Sequence, residues 1–448
     1  SLKLNQVQLY TEHTFAYRNH EVVWADASPI TPEQVLALDA YCRQRHLELV
    51  PNQNSFGHMH RWLRDPAYKH LAECPDGFET PWGRRSDHGS TLKPYEESLE
   101  LLRDLYGELL PNFTSNVFNV GCDETWELGQ GWSAPLCEER GSSTRVYLDF
   151  LKRIQSLVAE HDRTMMFWGD IILKEPDLID DLPPDTIALE WGYEFDHDFA
   201  GRCEKFADAG VPFYVCPGTS SWNSLVGRIP NALGNLAAAA EAGLQSGACG
   251  YLITDWGDGG HHQHLPVSYP GYAAGAAYSW CFQANENLDV EAAVNRCILR
   301  DPTGTAGAVL FGMGRLTDLV AKRFHNKSIF NSLLFGGDVS GVIEDVEADE
   351  LRACVERLEE LATLATDIRP ARADADLLRR ELSNNMALAR IGCLRGLAEL
   401  GEEVDLQEVR RDLRGELGRC EDIWLARNRP GGLHESSARL HHITKQLT

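Results

Sequence analysis

The sequence predicts an α/β fold, with parallel βα units over residues 1–285 followed by an α-helical C-terminal domain over 286–448. Three observations carry this reading. Short apolar, β-branched runs alternate with helix-period patterns up to about residue 285, the layout of parallel strands joined by crossover helices. After Phe282 only helical periodicity remains. The length of 448 residues and a hydrophobic content of 43% suffice for one large unit and a smaller one with a sizeable core.

The strands expected are Leu4–Tyr10, Leu47–Pro51, Val117–Gly121, Thr164–Trp168, Thr186–Trp191, Pro212–Cys216 and Cys249–Thr254. Each is short and rich in residues that suit a pleated, half-buried surface. Between them, Thr31-Pro32-Glu33 supplies a capping hydroxyl and a first-turn proline for a helix over Pro32–His46. Tyr147, Phe150, Leu151, Ile154 and Leu157 recur at helical spacing and predict a helix over Ser143–His161. The run Ala237–Ala240 belongs inside another helix. In the C-terminal part, Leu351, Val355, Leu358 and Ala362 form one amphipathic stripe. Leu382, Met386, Ala389 and Cys393 form a second, and Leu406, Val409, Leu413 and Leu417 a third. Breaks are expected at Arg369-Pro370, at Gly401 and at Arg429-Pro430-Gly431-Gly432.

Composition narrows the function. Lys and Arg number 42 against 67 Asp and Glu, a formal net charge of −25. That argues against a nucleic-acid backbone or an anionic membrane as main partner. No apolar run is long enough for a transmembrane helix. The 12 Cys lack a CxxC pair and lie in apolar context at Cys42, Cys203, Cys249, Cys281, Cys354, Cys393 and Cys420. Reduced, buried thiols and a cytoplasmic setting follow as expectations. The opening Ser1-Leu-Lys-Leu, without an initiator Met or signal-peptide regions, reads as a cut inside a longer protein.

Chemistry collects at the strand ends, which in a parallel α/β barrel build the active site. They read Tyr10-Thr-Glu12-His13, Asn54-Ser-Phe-Gly57-His58, Gly121-Cys-Asp123-Glu124, Trp168-Gly-Asp170, Glu190-Trp191-Gly-Tyr193-Glu194, Ser221-Trp222-Asn223 and Asp255-Trp256-Gly-Asp258. Indole walls for pyranose faces, with carboxylates for hydroxyls, are what a carbohydrate pocket requires. Asp123 and Glu124 are adjacent, so their Cα atoms lie ~3.8 Å apart on one wall. A two-carboxylate retaining hydrolase instead needs its acids on opposite sides of the scissile bond, ~5–5.5 Å apart. The pair suits a mechanism in which the substrate's own 2-acetamido oxygen attacks C1. Asp123 then orients the amide and Glu124, its pKa expected to be raised beside Asp123, is the general acid.

Phe118–Glu124, Pro51-Asn-Gln-Asn-Ser-Phe-Gly57-His58, Trp168-Gly-Asp170, Trp191 and Trp256-Gly-Asp258, in this order and spacing, resemble the catalytic barrel of the family 20 glycoside hydrolases, the β-N-acetylhexosaminidases, and most of all their hexosaminidase D-like branch. The resemblance covers about residues 1–285. It implies a TIM (β/α)8 barrel and retaining, substrate-assisted removal of terminal β-linked N-acetylglucosamine or N-acetylgalactosamine from an amino-sugar glycoside. By position, Asp123 and Glu124 match the catalytic pair. Trp168, Trp191 and Trp256 match the pocket walls, and Asp170 and Asp258 the hydroxyl ligands. Glu12, His58, Tyr193 and Trp222 complete the expected substrate-binding set. No cofactor is implied. A homodimer is compatible with Arg427 or Arg429 reaching the barrel mouth of this or a neighbouring subunit.

Several positions depart from the family pattern. Its His before the Gly-Gly pair is Asn119, its second Gly is Cys122, and an Asp that would support His58 is Asn54. The Tyr that holds the acetamide carbonyl is replaced by Trp222, with Tyr214 and Tyr193 as substitutes. The family's first strand carries an Arg that clamps the sugar, and nothing upstream of Leu4 plays that part. The resemblance therefore implies either that the sequence begins at the second strand, with a gap or a borrowed strand between Leu4–Tyr10 and Cys249–Thr254, or that Leu4–Tyr10 is itself the first strand and the later ones shift in register; the spacing from Leu4 to His58 and Glu124 favours the former. Two rival readings are a glycosidase of another family pairing Glu124 with Glu190 or Glu194, and a non-catalytic sugar-binding barrel. His261, His262 and His264, and His58 with His60, lack metal-ligand spacing and are expected to be hydrogen-bonded loop residues near the sugar.

Overall fold

The structure, a computed structural model, describes residues 2–447. Its strands are β1 (Gln6–Gln8), β2 (Glu48–Val50), β3 (Phe78–Glu79), β4 (Arg85–Ser86), β5 (Val117–Asn119), β6 (Thr164–Trp168), β7 (Thr186–Trp191), β8 (Phe213–Cys216) and β9 (Gly250–Tyr251). β1 pairs in parallel with β2, and β5 through β9 form a parallel sheet in sequence order. A parallel bridge between Asn52 and Asn119 joins the two, so all seven predicted strands lie on one curled arc. Most ladders are shorter than the sequence runs, by one to three residues at one or both ends, whereas β6 and β7 match theirs. β3 and β4 form an antiparallel hairpin that the sequence reading did not foresee.

The long helices between strands are α1 (Pro32–Arg43), α2 (Glu96–Leu109), α3 (Ser143–Ala159), α4 (Phe199–Asp208) and α5 (Ile229–Ser246), and α6 (Tyr269–Asn285) follows the last strand. Thr31 and Gln34 make a reciprocal capping box at α1, and the Ser142 hydroxyl accepts the Arg145 N–H at α3. Beyond residue 285 the elements are helical, chiefly α7 (Ala348–Ala365), α8 (Ala375–Glu399), α9 (Leu406–Arg427) and α10 (Leu433–Gln446). The three sequence stripes fall on α7, α8 and α9, and the breaks fall between them.

Strand alternation decides what faces the site. On β6, Met165 and Phe167 pack outward in the core shared with the helices, while Met166 and Trp168 face the inside of the arc. On β7, Ala188 points outward and Leu189 and Trp191 inward. A second core joins α5 and α6 to the C-terminal helices, from Leu225 to Leu447. The two ends of the arc, β1 and β9, do not pair with each other; a cleft of about 930 Å³ lined by Gln6, Gln8, Tyr214 and Tyr251 separates them. Tyr214 thus faces this cleft and is no candidate for the acetamide. Among the described residues all 12 cysteines are free, but Cys249 and Cys281, expected inside, are exposed. Both lie near the cleft or on the bent end of α6, where neighbouring elements leave them uncovered. No helix of the described residues is long and apolar enough to cross a membrane.

Candidate active site

The carboxyl ends of the strands surround a pocket of about 1000 Å³. At its floor, His58 Nε2 lies 3.2 Å from Asp123 Oδ2 and 3.2 Å from Glu124 Oε2. The adjacent acids therefore converge on one imidazole, although neighbours on an extended strand point to opposite faces. The backbone is wound tightly to achieve this: His58, Cys122 and Glu124 have φ of 56°, 70° and 49°, a region that non-glycine residues occupy only when their surroundings impose it. Gly57 is required here, since a Cβ would stand 2.0 Å from the Asp123 carbonyl oxygen.

The support for His58 comes from elsewhere than Asn54. Burial works to lower its pKa, but Asp123, Glu124 and Glu12 outweigh burial and raise it well above the usual imidazole range. Its Nδ1 is 3.8 Å from Glu12 Oε1. Asn54 instead donates to the Tyr10 hydroxyl at 2.7 Å, and Tyr10 donates to Glu12 at 3.0 Å. Donor atoms of His58, Asp123 and Glu124 all lie within 4.8 Å, a spacing that also suits a cation; with His58 protonated, the imidazolium itself supplies that charge.

Asp170 sits behind the pair. Burial, then the charge of Asp123, pushes its carboxyl well above the usual range. It accepts weakly from the Glu124 N–H and the Trp191 indole, both at 3.4 Å. Asp258 is also raised, by burial first and Glu124 next. Trp168 and Trp256 meet at 6.1 Å, Tyr10 stands edge-on to Trp256 at 4.8 Å, and Trp191 stacks on Tyr193 at 5.1 Å. Three buried polar atoms in this box make no hydrogen bond: Asp123 Oδ1, the Trp168 indole N–H and His58 Nε2, which meets its two carboxylates at ion-pair distance only.

The pocket thus brings together Glu12, His58, Asp123, Glu124, Trp168, Asp170, Trp191, Tyr193, Trp256 and Asp258. Trp222 is the exception. It is buried, packs edge-on behind Tyr193 at 4.9 Å, and donates its indole N–H to Asn326. The reason is local: the indole N–H is drawn to Asn326 and the ring packs against Gly218 and Tyr193, so it supports Tyr193 instead of lining the cavity. Tyr193 lines it directly, its hydroxyl accepting from the Trp256 indole at 3.0 Å.

Glu190 and Glu194 are both held by arginines, although Glu194 lines the pocket. Glu190, on the outward face of β7, binds Arg202 at 2.5 Å and His197 at 2.9 Å. Glu194 is held by Arg228 at 2.9 Å and accepts the Asn326 N–H. His261 and His262 pack among the C-terminal helices, beside Trp424 and Phe335, while His264 bonds Asn384. Arg427 pairs with Glu381 and Asp374, and Arg429 binds the carbonyls of Ser28 and Pro29, so neither reaches this pocket. Their partners lie within the C-terminal helices and before α1, away from the strand ends.

The sequence reading missed Tyr10, Trp126, His60 and, from the C-terminal part, His325 and Asn326. Tyr10 and Trp126 were within reach, as aromatics beside named acids. Nothing in the sequence links Asn326 to the end of β7 at Trp191.

A model described as the glycosyl hydrolase family 20 catalytic domain matches residues 4–221. Hexosaminidase D of Bos taurus is 26% identical over 224 residues, 47% of this chain and 61% of that protein. Hexosaminidase D of Homo sapiens is 23% identical over 372 residues, 75% of this chain and 72% of that protein. The chain therefore spans about six-tenths of the length of the bovine relative. A family 20 exo-β-N-acetylglucosaminidase from Vibrio harveyi, solved with N-acetylglucosamine, has a similar fold: TM-score 0.51 at 14% identity, over 70% of this chain and 54% of that one.

Proposed function

We propose, since residues 4–221 match the glycosyl hydrolase family 20 catalytic domain, that this chain is a β-N-acetylhexosaminidase that removes terminal N-acetylglucosamine or N-acetylgalactosamine with retention, the substrate's acetamide acting as nucleophile. The observation that carries the mechanism is the buried Asp123 Oδ1 without a partner, beside Glu124 and under the Trp168 wall. An acetamide N–H is the donor such an oxygen requires, since a buried unpaired carboxylate oxygen is costly.

In the proposed first step the acetamide carbonyl oxygen attacks C1 while Glu124 gives its proton to the departing glycosidic oxygen. The resulting oxazolinium carries its positive charge against Asp123. In the second step Glu124 takes a proton from water, which opens the ring at C1. Tyr193 takes the place expected of Trp222 and donates its hydroxyl proton to the acetamide carbonyl. The engagement of Glu190 and Glu194 by arginines supports this reading over a two-carboxylate one. The proposal extends to the fold, with the arc as seven strands of a (β/α)8 barrel and the cleft between β1 and β9 as the place of the eighth. It extends also to a cytoplasmic setting, which suits seven buried free thiols.

The test is a side-by-side assay of aryl N-acetylglucosaminide, N-acetylgalactosaminide and glucoside. Turnover of either N-acetyl sugar without turnover of the glucoside is expected, together with tight binding of a thiazoline mimic of the oxazolinium. Glucoside cleavage at a comparable rate would overturn the mechanism.

A further inference from the structure

The pocket, about 1000 Å³, is at the top of the ~300–1,000 Å³ range of small-molecule sites, so it has room beyond one sugar ring. On the side of Glu124, two residues further along the same loop, Trp126 lines the cavity with its ring 6.3 Å from that of His58. Trp82 stands edge-on to Trp126, with ring centroids 4.8 Å apart and planes at 83°. The two indoles make an L-shaped corner just outside the catalytic pair.

Trp82 sits at the tip of the β3–β4 hairpin and is 58% exposed. The turn is fully bonded without it: Gly83 N–H donates to Thr80 O at 2.9 Å, and Arg84 and Thr80 pair through backbone and hydroxyl. Such a turn calls for Pro81 at its second position and Gly83, with φ 73°, in the left-handed one. It makes no demand for an indole at position 82. The hairpin is also fastened to the catalytic loop. Glu73, just before it, accepts from the N–H groups of Gly131 and Ser133, and Glu127 accepts from the Ser90 N–H just after it. Trp82 and Trp126 are therefore held in one rigid frame.

We propose that Trp126 and Trp82 form a subsite for the leaving group that stacks a second pyranose ring, so the preferred substrates are oligosaccharides or glycans, not glycosides of small alcohols. The inference rests on the functional reading above in taking Glu124 as the acid that faces the leaving oxygen. An exposed aromatic corner supplies a preformed face at little entropic cost.

The test measures binding of the β-linked N-acetylglucosamine disaccharide and of methyl N-acetylglucosaminide to the full chain carrying Glu124→Gln, with and without Trp82→Ala or Trp82→Phe. Trp82→Ala should weaken the disaccharide about tenfold and leave the methyl glycoside and the melting temperature unchanged, with Trp82→Phe recovering most of the loss. Equal weakening of both ligands, or no change in either, overturns the subsite. Tighter disaccharide binding through Trp82 in a chain that cleaves no N-acetyl sugar would keep the subsite and overturn the function. Cleavage of aryl N-acetylglucosaminide by a chain indifferent to Trp82 would do the reverse.

Discussion

Glu124 occupies a left-handed backbone conformation, and the strain is offset by what the turn achieves: its carboxylate and that of Asp123 meet on His58. Replacing Glu124 with Gln should lower turnover of substrates with poor leaving groups by a factor on the order of 10²–10⁴, the usual worth of a positioned acid. Nitrophenyl substrates should lose less; equal loss on both would argue against the role. Tyr193 and Trp222 separate a positioning role from a packing one. Tyr193→Phe should depress kcat for N-acetyl sugars by about 10², as for a lost oxyanion donor. Trp222→Phe removes the hydrogen bond to Asn326 and should cost roughly 1–3 kcal/mol of stability, with kcat near native. Kinetics and thermal melts on the two variants decide the assignment.

At the scale of elements, the loop from Gly121 to Ser133 is tied to the hairpin insertion by Glu127, which is fully buried. Burial raises its carboxyl to about 7 despite hydrogen bonds from Ser90 and Thr91. An unfolded Glu titrates near 4.3, so the folded state holds the proton longer. The contribution of this group is present at low pH and is lost as pH rises from about 4.5 through about 7. Glu127→Gln should therefore match or exceed the native melting temperature at pH 8 and gain nothing at pH 5, by an amount on the order of 2 kcal/mol. A variant less stable than native at pH 8 would contradict this. Element identity was legible because period-two and period-3.6 patterns are local: β6 and β7 end where the sequence put them, and α3 begins at its capping serine. The β3–β4 hairpin was not legible, because two-residue strands carry too few residues for any period to register.

Across the whole molecule, the C-terminal helices are locked to the β9 end of the strand arc by the segment from His262 to His264. Asn385 on α8 accepts the His264 N–H and donates to the His262 carbonyl, and His262 bonds the Ser436 carbonyl on α10. Burial lowers the pKa of both imidazoles, and that of His13, to about 4. The unfolded chain binds those protons near 6.5 and the folded chain does not, so stability is full above that pH and is lost as pH falls from about 6.5 towards 4. A loss of roughly 1–3 kcal/mol per imidazole is expected. Melts between pH 7 and 5 check it, and His264→Gln, which keeps a donor for Asn384, should flatten the slope. The sequence by itself determined the order of parallel strands, the helical C-terminal part and the strand-end acids and indoles, because alternation, capping and strand-to-loop transitions are written in neighbouring residues. Only the tertiary structure decided that Glu190 faces outward, that Trp222 supports Tyr193 from behind, and that Asn326 reaches the pocket. Those outcomes depend on how the chain curls and which distant groups compensate each buried charge, and local spacing carries no record of either.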